Sequence, residues 1–259
     1  MEAGTGSVAK AFSSRRGDRL IRPLPLAIYY GWPSAVNGSN GTLSEALQVF
    51  RPFSVVALGG DTVERQGDPL ARTLVPALQA GGVRTFGYAS IGMEAGEPAH
   101  TLDVLRYLTG RWKSFGVSGI LLDCVGVDYG VTRARFDAAV GLAHSCGLSV
   151  IANAWDPDDA LRGRSTLGPS DGYLGENDVM QDGELQDPSV YDAKLLKMTQ
   201  YRASLGVELF ATVTYNVDGG IPLGSERMLS VLRRYRLDYV QCTDPLYGAA
   251  NNRIVRPWW

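Results

Sequence analysis

Histidine and cysteine are scarce in this sequence. Two histidines, His100 and His144, and three cysteines, Cys124, Cys146 and Cys242, are spread over 259 residues. No two of them have metal-ligand spacing, so neither a zinc site nor any other cofactor is expected. An odd cysteine count, with each cysteine beside an apolar run, argues for small buried side chains rather than a disulfide framework. No apolar run is long enough to span a membrane, and residues 1–23 lack the apolar core of a secretory signal peptide. The expected location is therefore the cytoplasm or a virus particle that carries the chain. A formal net charge of −2 offers no basic face for nucleic acid. Arg15-Arg16 and Arg233-Arg234-Tyr235-Arg236 are short basic runs, which read as solvated arms or helix faces. A dinucleotide GxGxxG loop, a GxSxG nucleophile elbow and a phosphate-cradling loop are all missing. Gly219-Gly220 is only a weak hint of the last.

What is present is a repeat. Apolar runs at 25–31, 53–59, 83–89, 118–123, 148–154, 172–177, 207–215 and 237–242 alternate with longer helical stretches. Runs apolar nearly throughout suit parallel strands covered on both faces, and their spacing suits strand, loop, crossover helix and return. Gly82, Gly116, Gly147 and Gly206 each stand after a helical stretch and before a strand, where a left-handed residue closes a helix. Thr42-Leu-Ser-Glu45 reads as a capping box, and Asp187-Pro188 as an N-cap and first helical residue. Eight units predict a single α/β domain, a (β/α)8 TIM barrel over 25–259, with a doubly wound open sheet as the alternative. Residues 1–24, rich in Gly, Ser and Arg, read as an irregular arm, disordered or docked on a partner. Trp258 and Trp259 end the chain and would either close the barrel floor or dock into another subunit.

Active sites of such barrels lie at the C-terminal strand ends. There this chain places carboxylates, amides and aromatics, with no lysine for a Schiff base. Asp123, directly after the apolar run GILL, and Glu176, in GYLGEN, are the candidate catalytic pair. A charge at the end of a buried strand is costly unless partners compensate it, so an acid there needs a reason. Two flanking carboxylates suit glycoside hydrolysis, and aromatics with amides suit a sugar ring. Candidate substrate-binding residues are Tyr30, Trp32, Asp61, Tyr88, Glu94, Asp128, Asn153, Trp155, Tyr215 and Asp244. Of these, Glu94 and Asp128 also read as ordinary loop caps, Trp32 and Trp155 as packing, and Tyr88 as a hydrogen-bond partner for a catalytic acid.

Several stretches together resemble a known group. YYGWPSAVNG, GYASIGME, GILLDCVGVDYGVTRAR, ANAWDPDDAL and LGPSDGYLGEN are similar to a spherulin-4-like set of barrels related to the endo-α-1,4-polygalactosaminidase glycoside hydrolases. The resemblance runs from about residue 25 to about 245. It implies a (β/α)8 barrel acting on galactosamine-containing or related polysaccharides. It also implies an acid after the fourth strand, matched by Asp123, and a glutamate at the sixth, matched by Glu176. One departure is that the hydrolases often carry a second acid where this chain has Cys124.

Two functions follow from the residues and the resemblance. One is a glycosidase with Asp123 as nucleophile or base and Glu176 as general acid. The other is a non-catalytic carbohydrate-binding or structural barrel in a larger assembly, such as a virus particle or tail. An aldolase or sugar-phosphate isomerase on the same fold is disfavoured by the missing lysine.

Overall fold

The computed structural model describes residues 22–59, 68–163, 165–214, 224–244 and 252–259. Within them eight strands form a closed barrel: β1 (Leu24–Tyr29), β2 (Val55–Leu58), β3 (Arg84–Ser90), β4 (Gly119–Asp123), β5 (Ser149–Asn153), β6 (Gly172–Gly175), β7 (Glu208–Thr214) and β8 (Tyr239–Thr243). Each strand pairs in parallel with the next, and β8 returns to β1. Closure excludes the open sheet. The helices are α1 (Leu43–Phe50), α2 (Ala71–Ala80), α3 (Leu102–Phe115), α4 (Arg133–Ser145), α5 (Pro157–Leu161), α6 (Pro188–Leu205) and α7 (Ser225–Arg234).

Local chemistry accounts for the helix ends. Thr42, Thr101 and Thr132 accept backbone N–H groups at the starts of α1, α3 and α4, and Asp156 and Asp187 do so for α5 and α6. In the first cap Glu45 accepts from the Asn40 N–H at 3.0 Å and the Thr42 hydroxyl at 2.7 Å. Gly116 and Gly206 end α3 and α6 at φ 88° and 76°, the left-handed conformation expected of them.

Two layers of core result. Leu26, Ile28, Val55, Ala57, Phe86, Leu121, Ile151, Leu174, Phe210 and Tyr239 fill the barrel, and a larger cluster packs helices on its outside. Phe86 and Phe210 fit because Gly119 and Gly172 face them; a Cβ there would lie 2.4 and 2.3 Å from the rings. Below, Arg84 of β3 crosses to Glu208 of β7 at 2.7 Å and to the Tyr239 hydroxyl at 3.2 Å. Trp258 and Trp259 pack edge to face on the outer core, and the Trp259 indole donates to the Pro23 carbonyl just before β1. Trp259 is thus tied to the residue that precedes β1.

The seam between β1 and β8 is special. The strands register only at Leu24–Tyr239 and Pro25–Val240. Higher up, the buried Gln241 amide stands in for the ladder, accepting from Ile28 N at 2.8 Å and donating to Ile28 O at 3.0 Å. The polar rim begins directly above this seam.

Candidate active site

Strand parity brings the acids inward. Residues 119, 121 and 123 share one face of β4, 151 and 153 one face of β5, and 174 and 176 one face of β6 with its extension. Leu121, Ile151 and Leu174 belong to the interior cluster, so Asp123, Asn153 and Glu176 follow them toward the same axis at the C-terminal end.

There Asn153 joins the two acids. Its Nδ2 donates to Asp123 Oδ1 at 2.7 Å and to Glu176 Oε1 at 3.0 Å. Asp123 takes two more donors: the Tyr88 hydroxyl on Oδ2 at 2.8 Å and its neighbour Cys124 N on Oδ1 at 2.8 Å. Three donors thus converge on Asp123. Glu176 is held differently. Burial, and then the charge of Asp123, push its carboxyl up to about 7, against a smaller downward pull from Asn153 and Lys194.

Both acids are followed by left-handed backbone. Cys124 has φ 56° and Asn177 φ 50°. Asparagine tolerates this conformation, whereas cysteine adopts it at a cost. Asn177 is held to β7: its N–H reaches Thr212 O at 3.1 Å, and its Oδ1 accepts the Thr214 hydroxyl at 2.6 Å. Gly92 leaves room for Cys124, since a Cβ on it would lie 2.9 Å from Cys124 Cβ. Burial, and then the Asp123 charge, push the Cys124 thiol up to about 12, so it stays protonated.

A pocket of about 50 Å³ opens over the pair, lined by Asp123, Asp128, Tyr129, Asn153, Ala154, Trp155 and Glu176. That volume matches one or two water molecules and is smaller than a sugar ring. Trp155 stands 61% exposed at its edge, with Lys194 Nζ 4.5 Å from its ring centroid. Tyr30 packs edge to face on Tyr88, centroids 5.2 Å apart, and so backs the Asp123 partner.

The other candidates lie apart. Glu94 is exposed on a hairpin formed by Met93–Glu94 and Glu97–Pro98 and lines no part of the pocket. Asp244 is buried and pairs with Arg253 of the C-terminal segment at 2.9 Å. Trp32 is 37% exposed, and its N–H is fixed by Asn252 Oδ1 at 2.7 Å. Asp61 and Tyr215 lie outside the described residues. His144 is tied to Asp171 at 3.1 Å below the barrel, and His100 Nδ1 lies 3.0 Å from Ser90 O.

Tyr129 and Lys194 were absent from the candidates. Tyr129 adjoins Asp128 in the loop after β4, so the sequence carried a signal for it. Lys194 comes from the second turn of α6, which a survey of strand ends passes over. Among the described residues no group of three His, Cys, Asp or Glu could hold a metal ion. No described helix is long and apolar enough to cross a membrane.

No protein-family model matches the chain, and no curated protein matches it. Solved structures do. The glycoside hydrolase domain of PelA from Pseudomonas aeruginosa aligns with 90% of this chain and 100% of its own at 14% identity and a TM-score of 0.56. An endo-β-1,4-glucanase from Xanthomonas axonopodis pv. citri aligns with 90% of each chain at 11% identity and a TM-score of 0.53. A D-psicose 3-epimerase from Clostridium cellulolyticum H10 aligns with 88% of this chain and 89% of its own at 10% identity and a TM-score of 0.51. Hydrolases and an epimerase thus share the barrel, and these likenesses establish the fold.

Proposed function

We propose that this barrel is a glycoside hydrolase that takes a polysaccharide across the ends of β4, β5 and β6. The observation that carries the reading is the Asn153 amide bonded to both Asp123 and Glu176. It holds two carboxyls of unlike surroundings side by side, one ringed by donors and one half-buried with its pKa raised. Such a pair divides the labour of nucleophile and acid. The PelA domain and the endoglucanase, both hydrolases by name, support the class.

Bonds of 2.7 and 3.0 Å to one nitrogen keep the nearest carboxylate oxygens within about 6 Å of each other, and this closeness is in keeping with the ~5–5.5 Å between carboxyl groups of retaining enzymes. The spacing favours retention. Asp123 attacks the anomeric carbon while Glu176 gives its proton to the departing glycosidic oxygen. Glu176 then takes a proton from water, whose oxygen attacks the same carbon and frees Asp123. Tyr88 and Asn153 hold Asp123 in place, and Trp155 offers an apolar face for a sugar ring. Three carboxylates and no basic side chain line the pocket, which suits a neutral or amino sugar better than an acidic one. An amino-sugar polymer is also what the sequence resemblance implies.

A second reading rests on Cys124, which stands beside Asp123 where the resembling hydrolases often carry an acid. In it the barrel holds a glycan without cutting it, as part of a larger assembly such as a virus particle. Reducing-end release from amino-sugar and neutral polysaccharides separates the two. The hydrolase reading expects release by the wild type and not by Asp123→Asn. Glycan binding without release by either protein supports the second.

A further inference from the structure

Behind Trp155 lies a charged pair that the reaction as written does not use. Lys194 projects from α6 and pairs with Asp178 Oδ1 at 2.7 Å; the side chains are only 12% and 4% exposed. The same ammonium lies 4.5 Å from the centroid of the Trp155 ring. Burying this pair has a desolvation cost that an apolar contact would avoid. Asp178 follows Glu176 by two residues, and the chain comes close there: a Cβ on Gly175 would lie 2.6 Å from Asp178 Oδ2. Asp178, Lys194 and Trp155 therefore form one connected wall from the acid to the edge of the pocket.

We propose that Lys194 is a positioning residue of the candidate site, its ammonium fixing the Trp155 ring from behind as a sugar platform while setting the electrostatic surroundings of Glu176. The inference rests on the hydrolase reading for its consequence in catalysis, but not for its effect on the acid. A cation over one indole face leaves the other free to stack and restrains the ring. The charged and titratable groups acting on Glu176 include Asp123 from β4 and Asp178 from the turn after β6, which favour its protonated form. Lys194 from α6 opposes them, and its pull outranks the push of Asp178. Glu176 in turn acts on Cys124 and Tyr129 after β4 and on Tyr173 of β6, whose protonated forms it favours.

The test compares wild type, Lys194→Met, Lys194→Arg and the double variant Lys194→Met with Asp178→Asn. The double variant removes both charges and so avoids stranding a buried carboxylate. Titration of the Glu176 carboxyl by carbon-13 NMR needs no substrate. In Lys194→Met it should move up, in the double variant it should move up less because the opposing Asp178 charge goes too, and Lys194→Arg should keep the wild-type value. On any polysaccharide the wild type cleaves, the alkaline limb of the rate profile should move with it. KM should rise about two- to five-fold with loss of the platform. A Glu176 titration unchanged in Lys194→Met, or a double variant that shifts it further than Lys194→Met does, overturns the proposal. An inactive wild type whose Glu176 still shifts as described would instead overturn the hydrolase reading alone.

Discussion

Asn153 Nδ2 stands between Asp123 Oδ1 at 2.7 Å and Glu176 Oε1 at 3.0 Å, so one amide from β5 fixes the spacing of acids from β4 and β6. Asn153→Ala removes both bonds at a position 8% exposed. Loss of the paired donors should cost about 1–3 kcal/mol of stability, read by urea unfolding, and lower turnover far more than binding. Asn153→Asp should be worse, because it adds a third carboxylate between two.

Glu176 supplies a pH dependence whose sign is fixed. Its carboxyl is raised from 4.5 to about 7 in the folded chain. Between those values the folded state holds a proton that the unfolded state has lost, so stability falls as pH rises through this window. Glu176→Gln abolishes the effect. Thermal melts should show this variant gaining on wild type from about pH 5 upward, by on the order of 1–3 kcal/mol above pH 7. Equal pH slopes in the two proteins would contradict the assignment.

Gln241 tests the closure of the barrel. Gln241→Leu keeps approximate size but leaves Ile28 N and Ile28 O without the partners the side chain gives them. The expected loss is about 2–4 kcal/mol, seen as a lower urea midpoint with little change in slope.

Cys124 lies against the nucleophile candidate, yet its thiol stays protonated. Iodoacetamide at pH 8 should label it much more slowly in the folded protein than in the urea-unfolded chain, as followed by mass spectrometry. Rapid labelling of the folded protein would show that Cys124 does not sit as described.

Much of this was legible in the residues. Continuous apolar runs and the glycines before them gave the parallel strands, because buried parallel strands need no alternation. Asp123 and Glu176 stood out as charges at the ends of such runs. Asn153 was legible as a polar strand end, but not as a bridge, since that depends on the registers of β4, β5 and β6 together. Gln241 lies within an apolar strand run, and its place in the β1–β8 ladder follows only from closure of the barrel. Asp244 carried the same signal as Asp123, an acid after an apolar strand, and its pairing with Arg253 depends on the fold. Lys194 lies on a helix 16 residues beyond Asp178, and only the fold brings it to Trp155.

The central claim is that Asp123 and Glu176 act as one unit on a glycosidic bond. Its most direct test is the rate of reducing-end release by wild type, Asp123→Asn, Glu176→Gln and the double variant on the polysaccharide the wild type cleaves best. The account predicts that each single change lowers turnover by about a hundred-fold or more, and that the double variant is no worse than the weaker single. Wild-type rates in Asp123→Asn, or losses that multiply as if the two acids were independent, would contradict it.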